Sequence, residues 1–153
     1  MRIIADLQIH SKFSRACSQE LIPKNIAIWA EKKGINIIGT GDFTHPGWLA
    51  LLKEELEESR PGLYELRANV GNGLKPFPTD ASTTLFMLTA EISSIYKLGE
   101  KVRRIHNLIF APSFEVVDKI ILGLEKQGAN LKSDGRPITG IHCDTLEIGR
   151  AHV

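Results

Sequence analysis

Hydrophobic and polar residues alternate at the start of the chain in blocks that predict a strand, a helix and a second strand. Met1–Ala5 is a short apolar run that ends at Asp6, as expected of a buried first strand. Leu21–Lys33 has apolar residues at helical spacing, and Pro23 suits the first turn of that helix. Ile35–Ile38 is again an apolar run of strand length. The beginning of the chain therefore predicts a strand–helix–strand unit.

A second helix and a long connection follow. Pro46 suits the first turn of this helix. Its apolar stripe is predicted to consist of Trp48, Leu49, Leu52 and Leu56. Its solvent side is predicted to carry four glutamates, Glu54, Glu55, Glu57 and Glu58. Residues 59–83 are rich in Gly, Pro and Asn and contain one short candidate strand, Leu63–Arg67. Connections of this length are often functional or mobile.

The remaining pattern predicts two strands and a third helix. Leu85–Ala90 is an apolar strand that ends at Glu91, and Ile105–Phe110 is a strand that starts beside His106. Ser113–Gln127 has the cap and the apolar stripe of a helix. Strands that alternate with helices indicate an α/β fold with crossover connections, and hence a largely parallel sheet or barrel.

Composition places the chain among ordinary globular proteins of the cytoplasm. It has 153 residues, 42% of them hydrophobic and 24% charged, with a net charge of +1. This charge gives no overall bias towards nucleic acid, so any DNA contact must come from a local patch. Cys17 and Cys143 suit a reducing compartment better than a disulfide scaffold. No signal peptide or apolar run of about 20 residues is present, so we expect no membrane partner.

Polar residues of the kind that bind metals gather at the predicted strand ends. These are Asp6, Gln8, His10, Asp42, His45, Glu91 and His106. In α/β barrels and open sheets, the carboxyl edge of the strands is where sites form. Gln8 and His10 are two residues apart, so both side chains point to one face of an extended segment. An amide oxygen is a poorer ligand for Zn²⁺ than imidazole, so Gln8 weakens this pair as a metal platform.

Each of these residues also has a purely structural explanation. A single histidine is more often a structural group than a ligand, and Asp42 beside glycines suits an Asx turn. Glu91 can be an ordinary charge at a strand end. His45 is interpreted as a cap of the helix that begins at Pro46. The basic run that contains Arg104 is more typical of a solvated edge than of a phosphate-binding site.

Four motifs taken together resemble a known superfamily. ADLQIHSKFSRA, IIGTGDFTHPGWL, LTAEISSIYK and RRIHNLIFAPSFE occur in this order, each with a strand-like stretch. The set resembles the PHP (polymerase and histidinol phosphatase) superfamily, whose first motif is Asp-x-His-x-His after the first strand. With LKSDGRP added, the set of motifs looks most similar to that of the endonuclease Q family. The resemblance covers about residues 2–147.

The resemblance implies a fold, a reaction and a substrate. PHP domains are distorted (β/α)7 barrels, so the chain is expected to be the N-terminal, incomplete part of one. Endonuclease Q enzymes are metal-dependent hydrolases that cut DNA on the 5′ side of a deaminated base or an abasic site. The implied partner is therefore DNA that contains deaminated bases. The implied cofactors are divalent metal ions, Zn²⁺ or Mn²⁺/Mg²⁺, with two expected.

The resemblance also assigns roles to individual residues. The expected metal site consists of His10, Glu91, His106, Gln8 and Asp6, with Gln8 in the place of a histidine. The expected catalytic residues are Asp42 and Glu91, and the expected substrate-binding residues are Arg15, Lys12 and Arg104. Phe43 stands where many PHP proteins have a further histidine, which argues against a third metal ion. We expect Gln8 to weaken or alter metal binding without necessarily abolishing it.

The end of the sequence suggests a fragment. Barrels of this class usually take roughly 200 residues or more. The final stretch, EIGRAHV, coincides with the translation of a common sequencing adapter. We therefore expect a partial PHP domain over residues 1–147 and a non-native tail over residues 148–153. The fragment itself is expected to have weak activity or none.

Two other functions remain open from the sequence. One is a PHP phosphatase that acts on a small phosphate ester. The other is a degenerate PHP module that binds a partner or DNA without catalysis, which Gln8 and Phe43 favour. Four retained residues argue against it: His10, Asp42, Glu91 and His106.

Overall fold

The computed structural model describes residues 2–67, 84–132 and 134–140. Most of the long connection and the predicted non-native tail lie outside these ranges. The helices are α1 (Pro23–Lys32), α2 (Pro46–Glu55) and α3 (Phe114–Lys126). The strands are β1 (Ala5–Asp6), β2 (Ile37–Gly39), β3 (Leu56–Arg60), β4 (Leu63–Leu66), β5 (Leu85–Leu98), β6 (Lys101–Ala111) and β7 (Ile138–Thr139).

The described strands form one mixed sheet around β5. Its order is β1-β2-β5-β4-β3, and both β6 and β7 also pair with β5. The pairs β1–β2, β2–β5 and β5–β7 are parallel, whereas β3–β4, β4–β5 and β5–β6 are antiparallel. The α/β class is confirmed, but the expectation of a largely parallel sheet is wrong. The barrel that the resemblance implies stays a prediction.

Two tight hairpins account for two of the three antiparallel pairs, β3–β4 and β5–β6. β3 and β4 are joined through Gly62, and β5 and β6 through Gly99, and both glycines have a positive φ. Connections this short can join only antiparallel strands, whereas a parallel pair needs a long crossover. The sequence pattern missed β3 altogether, because its charged stretch was interpreted as part of a helix.

Three boundaries differ from the prediction in ways that affect the site. α2 ends at Glu55, so Leu56, Glu57 and Glu58 belong to β3 and not to the helix. β5 continues to Leu98, and β6 starts at Lys101 and not at Ile105, because the ladder between them extends over the whole hairpin. Glu91 and His106 therefore lie within long paired strands and not at strand ends.

The core lies between the sheet and the helices. α3 follows the prediction closely: it starts after Ser113, whose hydroxyl accepts a hydrogen bond from the Val116 amide at 3.3 Å. The largest fully buried side chains include Trp48, Phe43, Phe86, Leu52, Leu56, Leu88 and Ile92. Burial of this many apolar side chains is the main stabilising term of such a domain.

His45 has a different role from the one that the sequence suggested. It occupies the N-cap position of α2, but its side chain makes no capping hydrogen bond. Its ring stacks on Phe13, with 4.4 Å between the ring centroids. Burial lowers the pKa of His45, against the opposing influence of the Asp42 carboxylate. The side chain thus packs against the loop after β1 and does not cap the helix.

Candidate active site around Glu91

The turn after β2 is tied to the central strand by hydroxyl groups. The Thr89 amide donates to the Thr40 hydroxyl at 3.0 Å, and the Gly41 amide donates to the Thr89 hydroxyl at 2.9 Å. The Trp48 indole donates to the Gly41 carbonyl at 2.8 Å. These bonds fix the turn at Gly41, one residue before Asp42, and the central strand at Thr89, two residues before Glu91. The two acidic residues are therefore held by one network.

Asp42 is the buried anchor of the loop that follows β1. Its side chain has no solvent exposure. The carboxylate accepts hydrogen bonds from the Ser11 amide at 2.6 Å and the Ser14 hydroxyl at 2.8 Å. Its other oxygen lies 3.0 Å from His10 Nδ1. The residue has a φ of 49°, a left-handed conformation that aspartate tolerates better than most residues.

His10 and Gln8 both reach Glu91, as their spacing predicts. His10 Nε2 lies 3.5 Å from Glu91 Oε2, and the Gln8 amide nitrogen donates to the same oxygen at 3.0 Å. Asp42 holds the opposite ring nitrogen of His10, so the imidazole has a fixed orientation. A carboxylate behind an imidazole aligns the ring towards the group that its second nitrogen faces.

Two side chains contact the other oxygen of Glu91: an ionisable histidine and a positively charged arginine. His106 Nδ1 lies 2.5 Å from Glu91 Oε1, and Arg136 Nη1 donates to the same oxygen at 3.4 Å. Glu91 is 3% exposed, whereas His106 and Arg136 remain about half and a third exposed. The Glu91 carboxylate therefore lies at the floor of the cluster and its partners at the rim.

The surroundings of Glu91 favour its ionised form. Burial on its own raises the pKa of this carboxyl group. The Gln8 hydrogen bond and the charges of His106, Arg136 and His10 outweigh burial and hold the pKa of Glu91 below its usual value. We therefore treat Glu91 as a carboxylate throughout the neutral range.

The sheet topology explains why these side chains meet. β5 pairs with β2 up to Met87 and with β7 from Ser93, and Glu91 lies between these two stretches. The loop after β1 brings Gln8 and His10 to this gap, the turn after β2 brings Asp42, and the turn before β7 brings Arg136. Sites commonly form where strands of an open sheet end in this way.

The turn before β7 contacts the Asp42 network so closely that it needs a glycine. The Gly135 amide donates to the Phe13 carbonyl at 3.2 Å, and the Thr44 hydroxyl donates to the Gly135 carbonyl at 3.4 Å. A Cβ atom on Gly135 would overlap the Asp42 carboxylate and the Ser14 hydroxyl. Both of those groups are buried and hydrogen-bonded, so neither can move aside without losing its partners.

Gly135→Ala should therefore lower the free energy of unfolding by about 1–3 kcal/mol, the usual cost of forcing an extra methyl group into a packed interior. Urea denaturation followed by circular dichroism measures this. Gly123→Ala is the matched control: nothing lies within 4 Å of the new Cβ, and the residue lies in α3. Alanine is the better helix former, so the control should be unchanged or more stable. Equal stability of Gly135→Ala and the wild type would contradict the described packing.

The other predicted site residues lie at or beyond the edge of this cluster. Asp6 is exposed in β1 and lines a groove of about 510 Å³ beside α1, away from the contacts of Glu91. The chain leaves β1 directly after Asp6. Phe43 is fully buried in the core. The placement of Asp6 in a metal site stays a prediction.

The predicted substrate-binding residues have separate surroundings. Lys12 Nζ lies 5.4 Å from the centroid of the Phe13 ring. Arg15 is exposed, and its backbone amide donates to Asp134 at 3.4 Å. Arg104 is exposed on β6, two residues before His106 and therefore on the same face of the hairpin. Their role in substrate binding stays a prediction.

Sequence reasoning missed two residues of the site. Arg136 and Gly135 belong to LKSDGRP, a motif that contributes to the family resemblance but predicts no site residue. A glycine directly before an arginine, in a turn that precedes a strand, is too common a pattern to indicate a site. The importance of Gly135 depends on its contact with Asp42, more than ninety positions away, and that of Arg136 on its contact with Glu91. Only the fold shows these contacts.

The donor types of the cluster suit a divalent metal ion, but their arrangement is incomplete. Two imidazoles and two carboxylates are ligands that Zn²⁺ and Mn²⁺ accept. Within residues 2–67, 84–132 and 134–140, however, no three His, Cys, Asp or Glu side chains are placed to hold one ion. Both oxygens of Glu91 already contact nitrogen atoms. The predicted metal ions therefore remain a proposal.

Comparisons with known proteins find similarity to an uncharacterized protein and to two solved structures. No protein-family model matches the chain. The chain is 33% identical over 146 residues to MJ0043, an uncharacterized protein of Methanocaldococcus jannaschii, covering 95% of this chain and 14% of that protein. It is also similar to two solved structures. The first is the lesion-specific endonuclease PfuEndoQ from Pyrococcus furiosus, with a TM-score of 0.67 and 29% identity.

The second solved structure includes DNA. It is endonuclease Q in complex with a duplex that has an abasic lesion at the active site, with a TM-score of 0.68 and 30% identity. The similarity covers 89–90% of this chain but only 28–29% of those chains. The chain thus has an α/β arrangement similar to that of endonuclease Q, and it spans less than a third of the length of those proteins.

No helix in the described part of the chain is long and apolar enough to cross a membrane.

Proposed function

We propose that the natural protein carrying this chain is an endonuclease that hydrolyses DNA strands at damaged sites, with the Glu91 cluster as part of its active site. The observation that carries the proposal is the convergence of His10, His106 and Arg136 on one buried carboxylate. The similarity to endonuclease Q over about nine-tenths of this chain supports the DNA-cleaving activity. Cleavage on the 5′ side of a deaminated base, in the cytoplasm, is the finer form of the proposal.

The β5–β6 hairpin offers a surface that suits a DNA backbone. Ser93 pairs with His106, Ile95 with Arg104 and Lys97 with Val102. Residues directly opposite in an antiparallel pair lie on the same face of the sheet. Arg104 and Lys97 therefore extend a positive strip outwards from His106. Basic side chains in such a row contact phosphates without reading the base sequence.

The proposal gives each residue of the cluster a role. Glu91 and His10 would hold and polarise the attacking water, with Asp42 keeping the His10 ring in orientation. His106, at the rim, would face the phosphodiester. His10, His106 and Glu91 would have to move closer together to hold a divalent ion, which would supply Lewis acidity. Gln8 would keep its amide group against Glu91, where the resemblance expects an imidazole.

The proposal is tested by the substrate class that the natural, longest protein carrying this sequence cleaves. We expect nicking of a duplex with one abasic site, less nicking of the undamaged duplex, and negligible hydrolysis of p-nitrophenyl phosphate. A damaged nucleotide is easier to extrude from the base stack, and this gives the preference for the abasic duplex over the undamaged one. The reverse order of rates would favour a small-ester phosphatase and contradict the proposal.

A binding module without catalysis is the second candidate. It is favoured by the incomplete donor set in the described part of the chain and by Gln8 in the place of an imidazole. In the same assay, such a protein would bind the abasic duplex and leave it uncut, with or without added Zn²⁺ or Mn²⁺.

A further inference from the structure

Arg136 is the most firmly positioned positive charge of the cluster. Its backbone amide donates to the Asp134 carboxylate at 3.2 Å, which closes a tight turn. One residue later, the Pro137 carbonyl accepts a hydrogen bond from the Ser93 amide of β5 at 3.0 Å. On the other side, Gly135 is held by Phe13 and Thr44, as described above. The chain is thus held both before and after Arg136.

This positioning depends on a close contact that a larger residue would prevent. Gly135 touches the Asp42 carboxylate and Ser14, the same groups that orient the loop carrying His10. The turn therefore packs against the loop of His10, and Arg136 contacts Oε1 of Glu91, whereas Gln8 and His10 contact Oε2. Such advance positioning lowers the entropy lost when a side chain binds a ligand.

The guanidinium group has more donors than Glu91 can use. Arginine presents five N–H groups in a planar fork, and one of its terminal nitrogens contacts Glu91 Oε1 at 3.4 Å. That oxygen also lies 2.5 Å from His106, so Glu91 does not depend on Arg136 alone for charge compensation. The Arg136 side chain is 36% exposed, so part of the fork faces solvent at the rim.

We propose that Arg136 is a substrate-positioning residue that binds a phosphate group of the DNA strand and holds it beside Glu91. The proposal rests on the proposed function and names one further contact of the same site. A guanidinium group can bind one anion along each of two edges, which an ammonium group cannot do with the same geometry. The strip of Arg104 and Lys97 would contact the adjoining backbone.

Two variants separate this role from simple neutralisation of Glu91. Arg136→Gln removes the charge and the fork, whereas Arg136→Lys keeps a positive charge near Glu91. Arg60→Gln is the matched control, because Arg60 is exposed at the end of β3, in the hairpin at the opposite edge of the sheet. Urea denaturation of each variant reports whether the fold is retained.

The measurement is the affinity of the natural protein for a fluorescent duplex with one tetrahydrofuran abasic-site analogue, by anisotropy at several salt concentrations. We expect Arg136→Gln to weaken binding about tenfold or more, as for loss of a charge-assisted hydrogen bond. The slope of log affinity against log salt should fall by about one. Arg136→Lys should not restore the affinity. In Arg136→Gln, KM should rise more than kcat falls. Arg60→Gln should match the wild type.

The outcomes distinguish this inference from the proposed function. Wild-type affinity and salt slope in Arg136→Gln, or full recovery in Arg136→Lys, would overturn the inference even if the protein cuts DNA. If Arg136→Gln fails to fold, Arg136→Lys decides. Weakened binding in a protein that never cuts would support the inference and reject the endonuclease. A wild type that binds no DNA would reject both.

Discussion

Asp42→Ala should destabilise the protein by about 3–5 kcal/mol, the largest effect that we expect from a single substitution. The carboxylate accepts hydrogen bonds from Ser11 and Ser14 and contacts His10, and it is fully buried. A buried donor left without its partner costs about 1–3 kcal/mol. Alanine at a φ of 49° adds backbone strain that aspartate tolerates better.

Urea denaturation at neutral pH measures this loss. Asp118→Ala is the matched control, because Asp118 is 49% exposed and pairs with Lys53 on the surface. Removal of such a pair should cost less than about 1 kcal/mol. Asp42→Asn keeps the size and tolerates the backbone conformation, so its loss should lie between the two. Equal losses for Asp42→Ala and Asp118→Ala would show that Asp42 does not anchor the loop.

Glu91→Gln should lower the free energy of unfolding at pH 7 by about 2–4 kcal/mol. Hydrogen bonds to a charged group contribute about 1.5–3 kcal/mol, and several partners face the Glu91 carboxylate. Arg136 and His106 would lose their anion. Because the pKa of Glu91 is lowered in the folded state, its stabilising contribution is present above its unfolded value of about 4.5. That contribution is lost as the pH falls through the lower, folded value.

The difference between wild type and Glu91→Gln should therefore be constant near neutral pH and shrink below about pH 4.5. Denaturation in urea at pH 7, 5 and 3.5 measures it. Glu57→Gln, an exposed glutamate of β3 that pairs with Arg67 at 3.5 Å, is the control and should show little change at any pH. A difference that grows towards acid would mean that burial dominates and that Glu91 is protonated more readily than we infer.

The sequence pattern predicted the elements whose signals are local. α1 and α3 lie within two residues of their expected ends, since Pro23 and Ser113 mark their first turns. The meeting of Gln8 and His10 at one point followed from their period-2 spacing. These features depend on residues that are near one another in the chain, so propensity and spacing suffice.

The features that the sequence did not predict depend on distant contacts. Glu91 and His106 looked like strand-end residues, because the apolar runs stop or start beside them. In the fold, the β5–β6 ladder extends both strands through polar residues that pair across the hairpin. Likewise, the charged stretch of Glu57 and Glu58 belongs to β3 because its pairing with β4 overrides the helical spacing.

The position of Arg136 could not be inferred from the chain alone. It reaches Glu91 because β7 pairs with β5 in parallel at Ser93 and Ser94. Nothing near Arg136 in the sequence indicates which strand Ile138 and Thr139 will join. The candidate site was thus predicted in its histidines and carboxylates, and its fixed positive charge emerged only from the topology.

The central claim is that the Glu91 cluster cleaves DNA. Its most direct test is the single-turnover nicking rate of an abasic duplex by the natural protein, with wild type and Glu91→Gln compared at pH 7 and Glu57→Gln as control. We predict a loss on the order of 100-fold or more in Glu91→Gln, in the range known for removing one polar group that stabilises a transition state. Wild-type nicking in a folded Glu91→Gln variant would contradict the account.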